Sequence, residues 1–273
     1  MHRRRGLLAA TILGVAVLAS SAVMAPAVAA ARRATAVPAA AIRSDAPPAA
    51  GKPFRLDLAD PNDFVPQTTF VQCVGASMQM MLNIMGDDDR STATQGRLQV
   101  LARSLSGPTR EGFERKGASV RGWSDGLNRL DAGPYRLVGT DTVDEAMRLA
   151  AKAIRDTGRP VGLLVWSGRH AWVMSGFEAT ADPRQSGDYR VTKAIVLDPL
   201  YPYGSSQWGR SPRPREALSI ARLATQFVPR RRGTWAGAPS GAAGQTMRAL
   251  AGKYVIVMPW VASVVARSRH VAS

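Results

Sequence analysis

Two apolar runs joined by a short polar turn constrain this chain more than any other feature. Val161-Gly162-Leu163-Leu164-Val165-Trp166 follows Pro160. After Ser167-Gly168-Arg169 comes His170-Ala171-Trp172-Val173-Met174-Ser175-Gly176-Phe177. Runs of this length, bounded by Pro and Gly, read as buried strands, and the glycine-containing turn makes them neighbours. Ala194-Ile195-Val196-Leu197 is a third strand, stopped at Asp198-Pro199, and residues 254–260 are a last one. Ahead of them the period changes. Val74, Met78, Met81, Leu82 and Met85 recur at helical spacing, with Gly86 as the stop. Leu98, Val100, Leu101 and Leu105 suggest a short helix broken at Gly107-Pro108. Trp123, Leu127 and Leu130 suggest another, ending near Gly133-Pro134, with residues 135–138 as a short strand. Thr142 is a helix cap with Glu145 as its box partner. The apolar face Val143, Met147, Leu149, Ala150 and Ile154 follows, closed by Gly158. Early helices and then clustered antiparallel strands give an α+β domain. Residues 201–215 and 236–244 read as loop, and 216–227 as helix.

The ends read differently. Arg3-Arg4-Arg5, an apolar run from Leu7 to Val23 and the small-x-small sequence Ala27-Val28-Ala29 make residues 1–30 an export signal. An uncleaved anchor is the alternative reading. Residues 31–60, rich in Ala, Pro and Arg, are expected to be a flexible lead-in. The domain is then 61–262, with a tail at 263–273. The expected location is secreted or extracytoplasmic. Of the 273 residues, 36 are Lys or Arg and 20 Asp or Glu, for a net charge of +16. That excess suits an anionic cell-envelope surface or an acidic partner; arginine-rich codon usage is the other explanation. No zinc-finger spacing or aromatic-studded basic strand points to specific nucleic-acid reading. Asp87-Asp88-Asp89 lacks the alternation and distal glutamate of a calcium loop and reads as a solvated turn.

Cys73 is the only cysteine, so it has no internal disulfide partner. It stands at the front of a helix, where the dipole and free amides favour the nucleophilic thiolate. An inert core thiol is the other reading. Of three histidines, His2 is in the leader and His270 in the tail, so His170 alone is placed to meet Cys73. A neutral imidazole in hydrogen-bond reach would take the thiol proton; a ring packed beside Trp172 would not. A histidine base needs an orienter. Asp198 ends the strand expected to lie beside that of His170, and Asp182, in a loop, is the weaker candidate. Gln67 is a candidate side-chain donor to an oxyanion, with the backbone N–H of Cys73 as the second.

Gln67-x5-Cys73-x-x-Ala76-Ser77-x-x-Met80, with Gly86 closing the helix, resembles the N-terminal motif of papain-like cysteine peptidases. So do Gly158-Arg159-Pro160-Val161-Gly162, Gly168-Arg169-His170-Ala171-Trp172-Val173, Gly176-Phe177 and Val196-Leu197-Asp198-Pro199. The pattern is most similar to the bacterial bacteriocin-leader (double-glycine) peptidase-like branch and spans about residues 64–260. The resemblance implies a papain-like fold, with a helix carrying the Cys packed on an antiparallel sheet carrying His and Asp. It also implies Cys73 as nucleophile, His170 as base and acid, Asp198 as orienter and Gln67 as oxyanion donor. The expectation is an exported hydrolase acting on a peptide or protein, with no metal or organic cofactor. An amidase or acyl transferase with the same residues is an alternative. So is a non-catalytic envelope-binding domain on this scaffold.

Overall fold

Strand alternation decides how the layers are stacked. The computed structural model describes residues 52–109, 114–232 and 241–261, all within one unit, Ala46–Ser273. Its strands are β1 (Phe54–Asp57), β2 (Tyr135–Thr140), β3 (Val161–Val165), β4 (His170–Ala179), β5 (Val191–Leu197), β6 (Gly204–Ser205), β7 (Gly209–Arg210), β8 (Glu216–Ser219) and β9 (Tyr254–Pro259). Its helices are α1 (Cys73–Ile84), α2 (Thr92–Ser104), α3 (Val120–Arg129), α4 (Val143–Thr157), α5 (Ile220–Leu223) and α6 (Gly241–Ala249). The main sheet runs β2-β9-β3-β4-β5-β8, and every pairing in it is antiparallel. The chain is therefore mixed α+β with an antiparallel sheet.

Both faces of the central strands are buried. Leu163, Val165, Trp172, Met174, Val196, Ile256 and Met258 join the core beneath α4. Their neighbours Leu164, Ala171, Val173, Leu197, Val255 and Val257 join a second core beneath α1, α2 and α3. Adjacent residues point to opposite faces, so a strand apolar at every position must be covered twice. This is why β3 and β4 read as continuous apolar runs.

Local chemistry ends the helices where the sequence indicates. Thr142 accepts from the Glu145 N–H at 3.2 Å and starts α4. Gly158, at φ 63°, closes it by donating its N–H to Ile154, a left-handed conformation that glycine adopts without steric cost. The triple-aspartate turn becomes part of a cap, because Asp89 accepts from the Ser91 N–H at 2.8 Å and Ser91 caps α2.

Several loop and helix expectations are corrected. Within the expected lead-in, residues 54–57 form β1 and pair with Gly176–Ala179 of β4, beyond the His170–Met174 stretch that β3 occupies. Phe54 packs on Phe177 at 5.7 Å between ring centroids. Four residues with two apolar positions are too few for a period to register. Residues 216–219 are strand rather than helix, because β8 completes the edge of β5. Residues 204–210 contain the β6–β7 ribbon, and 241–249 are helical. The leader 1–30, lead-in residues 31–51, loop residues 236–240 and the tail 263–273 lie outside the described residues.

Candidate active site

Cys73 is the first residue of α1. The loop before it is held by two buried glutamines one helical turn apart on α2. Gln95 donates to the Pro66 carbonyl at 3.0 Å and accepts from the Thr68 N–H at 2.8 Å. Gln99 donates to the Val71 carbonyl at 2.9 Å and accepts from the Gly75 N–H at 2.9 Å. Spacing of i, i+4 puts both amides on one face. Gly75 allows the approach, since a Cβ there would lie 2.8 Å from the Gln95 carbonyl oxygen. Gln99 thus satisfies one of the orphan amides of the first helical turn. The amides of Cys73 and Val74 have no acceptor among the described residues. Replacing Gln99 with Ala would leave the buried Gly75 N–H and the part-buried Val71 carbonyl without this partner, a cost of about 1–3 kcal/mol. Urea denaturation checks this; an unchanged midpoint would mean that the loop is held otherwise.

One turn further along α1, Ser77 donates to the carbonyl of Ala171 at 3.2 Å. That bond ties the start of α1 to the start of β4, and so sets Cys73 against His170. The histidine lies at the end of an interior strand, not at a sheet edge. Its Nε2 is 2.7 Å from Asp198 Oδ1, which leaves Nδ1 for Cys73. Asp198 follows the end of β5, whose Leu197 pairs with Val173. The carboxylate is fully buried. Its Oδ1 also accepts from the Leu200 N–H at 2.9 Å, and its Oδ2 has no partner among the described residues.

These neighbours oppose burial at His170. Desolvation pulls the imidazole toward neutrality, but the Asp198 hydrogen bond and the adjacent Cys73 outweigh it. The pKa is pushed up to about 9 from an ordinary 6.5. The Cys73 sulfur is thus a neighbour of the ring and favours the ring's protonated form.

Trp166, rather than Trp172, packs on the ring, stacked at 4.2 Å between centroids and 23° between planes. Trp172 is buried in the α4-side core. Trp166 and Ser167 both have φ 56° and Gly168 has φ 95°. A tryptophan in the left-handed region is strained. Gln226 holds it there: Trp166 donates its backbone N–H to the Gln226 carbonyl at 2.9 Å and its indole N–H to Gln226 Oε1 at 2.6 Å. The indole covers the buried His170–Asp198 bond on one side.

Gln67 is half-buried and lies beside the end of β5, donating its backbone N–H to the Pro199 carbonyl at 2.8 Å. Its side-chain nitrogen donates to Thr69 O at 2.9 Å, so one amide hydrogen is committed to the loop and the second remains. Asp182 is not at the site. It accepts two hydrogen bonds of 2.9 Å from Arg155, and that guanidinium holds its carboxyl below the usual range.

A cleft of about 810 Å³ opens beside Cys73 and His170, between the start of α3 and residues 230–232. Sequence reasoning missed Gln95, Gln99 and Trp166. The glutamine pair carried only a local signal, because residues four apart share a face of any helix that spans both, and the expected helix began at Leu98. Trp166 carried none, since a strand-end tryptophan reads as core. No protein-family model, curated protein or solved structure matches the chain.

Proposed function

We propose that this chain is a papain-like thiol hydrolase, a peptidase that acts through Cys73, His170 and Asp198 and works outside the cytoplasm. The observation that carries the reading is the buried 2.7 Å contact from Asp198 to His170 Nε2, with the chain's single thiol on the other side of the ring. Cys73, His170 and Asp198, three of the residues that carry the family resemblance, lie together, and this supports the reading.

In this reading His170 holds the thiol proton and Cys73 attacks a carbonyl carbon as thiolate. The oxyanion takes hydrogen bonds from the Cys73 amide and from the uncommitted hydrogen of Gln67 Nε2. His170 then gives the proton to the leaving amine. Water, deprotonated by the same ring, releases the acyl group as the acid and restores the Cys73 thiolate beside the protonated His170. Asp198 keeps the ring oriented and stabilises its charged form. Amidase or acyl-transfer chemistry would use the same acyl-enzyme and differ only in the acceptor.

The test is the pH dependence of Cys73 alkylation by iodoacetamide, in the parent and in His170→Ala. An isolated thiol with pKa near 8.5 is under about 1% ionised at pH 6. If His170 holds the proton, the parent alkylates at pH 6 faster than the variant by roughly tenfold or more, and the two converge toward pH 9. Identical profiles, or a thiol that reacts only after unfolding, would overturn the ion pair and favour a non-catalytic binding domain.

A further inference from the structure

We propose that the cleft beside Cys73 selects acidic peptides, with Asp or Glu side chains within a few residues of the bond placed at the sulfur. The placement of that bond rests on the thiol-hydrolase reading; the charge selection rests on the cleft.

Among the described residues lining the cleft, Arg115, Lys116, Arg169, Arg230, Arg231 and Arg232 are cationic and Glu114 alone is anionic. Glu114 is already paired, with Arg103 at 3.2 Å. Lys116, Arg169, Arg231 and Arg232 have no ion pair among the described residues. On other surfaces many cations are neutralised locally, as in Lys152–Asp156 at 2.7 Å and Lys193–Glu178 at 3.0 Å.

The cations stand on a braced frame. Arg231 donates its backbone N–H to Ser167 at 3.0 Å, and Arg230 exchanges backbone hydrogen bonds of 2.8 Å with Lys253 and Gly252. The Arg230 guanidinium donates to the Met247 carbonyl at 2.7 Å. Arg169 immediately precedes His170. Like charges gathered on a concave, low-dielectric wall repel one another, and an incoming anion relieves that repulsion.

The floor of the cleft includes Val74, Val120, Leu164 and Met247. These receive the apolar bodies of a peptide and offer nothing to a bare phosphate polymer. Positive walls over an apolar floor therefore favour an acidic peptide over an inorganic polyanion.

The test uses the full chain carrying Cys73→Ala, so that bound peptide is not consumed. Three short fluorescein-labelled peptides of one length are compared by anisotropy: one with Asp and Glu flanking a Gly-Ala centre, its Asn/Gln counterpart, and a lysine version. The acidic peptide is expected to bind about tenfold or more tightly than its amide counterpart at low ionic strength. The preference should fade between about 50 mM and about 500 mM salt. Arg169→Glu with Arg231→Glu should remove it. Arg129→Glu with Arg190→Glu makes the same change in net charge at exposed positions outside the cleft, and should leave it.

Equal binding of acidic and amide peptides, or equal losses in the two double variants, overturns the selection. So does binding of polyphosphate with none of the acidic peptide. Incubating the parent chain with the same peptides separates the two readings. Acidic-peptide binding without cleavage upholds the selection and removes the chemistry. Equal cleavage of acidic and amide peptides upholds the chemistry and removes the selection.

Discussion

Asp198→Ala is expected to lower the rate of acyl-enzyme formation by roughly 10³–10⁴-fold, the scale seen when a histidine base loses its orienting carboxylate. The ring would lose the acceptor at 2.7 Å that fixes which nitrogen faces Cys73, and the Leu200 N–H would lose its acceptor as well. The same change should alter stability with a definite sign. His170 titrates near 9 in the folded chain against an ordinary 6.5. A raised pKa means that folding binds the proton more tightly. The resulting stabilisation is complete below about pH 6.5 and is lost as pH rises through about 9. In the parent the proton that Cys73 gives up to the ion pair offsets this slope, so the slope shows in a Cys73→Ala background. Urea denaturation of that variant at pH 6 and pH 9.5 should show stability falling toward alkaline pH. In Cys73→Ala with Asp198→Ala most of this slope should be absent. Equal slopes in the two would mean that the carboxylate does not hold the imidazolium.

The second large effect is structural. A Cβ at Gly122 would lie 1.9 Å from the carbonyl oxygen of Ala102 and 2.5 Å from Ser106 Oγ. The obstacle is backbone, so α2 and α3 would have to separate. Gly122→Ala should cost about 3 kcal/mol or more. It should also degrade the site, because α2 carries Gln95 and Gln99, which hold the loop ahead of Cys73. Gly96, on α2, is the control. Nothing lies within 4 Å of a Cβ there, and Gly96→Ala should stabilise by about 0.5–1 kcal/mol through helix propensity. Thermal denaturation of both variants tests the contrast. Equal midpoints would show that the α2–α3 contact yields easily.

The candidate residues were legible because their types are scarce in this chain. One thiol, and one histidine outside the ends, leave few ways to build a nucleophile and base. The capped α4, the apolar β3 and β4 and the Cys73 helix were legible because cap chemistry and periodicity act over a few neighbouring residues. β1 and β8 were not, because each is strand only by virtue of an open edge on β4 or β5, formed by residues far away in sequence. The 201–215 segment, read as loop, hides a ribbon too short to carry a pattern.

By itself the sequence determined the ends of α1 and α4, the doubly buried strands and the identity of the candidate site residues. All of these follow from side-chain chemistry within a turn or a strand. The tertiary structure alone decided which groups meet. Asp198 rather than Asp182 reaches His170, because antiparallel pairing sets the end of β5 beside the start of β4 while Arg155 binds Asp182 elsewhere. Trp166 rather than Trp172 covers the ring, because the hairpin turn takes the left-handed region. The arginines of residues 230–232 line the Cys73 cleft because backbone hydrogen bonds to Ser167 and Lys253 bring them there. Most of these contacts join residues more than twenty positions apart, so their geometry exists only once the chain has packed.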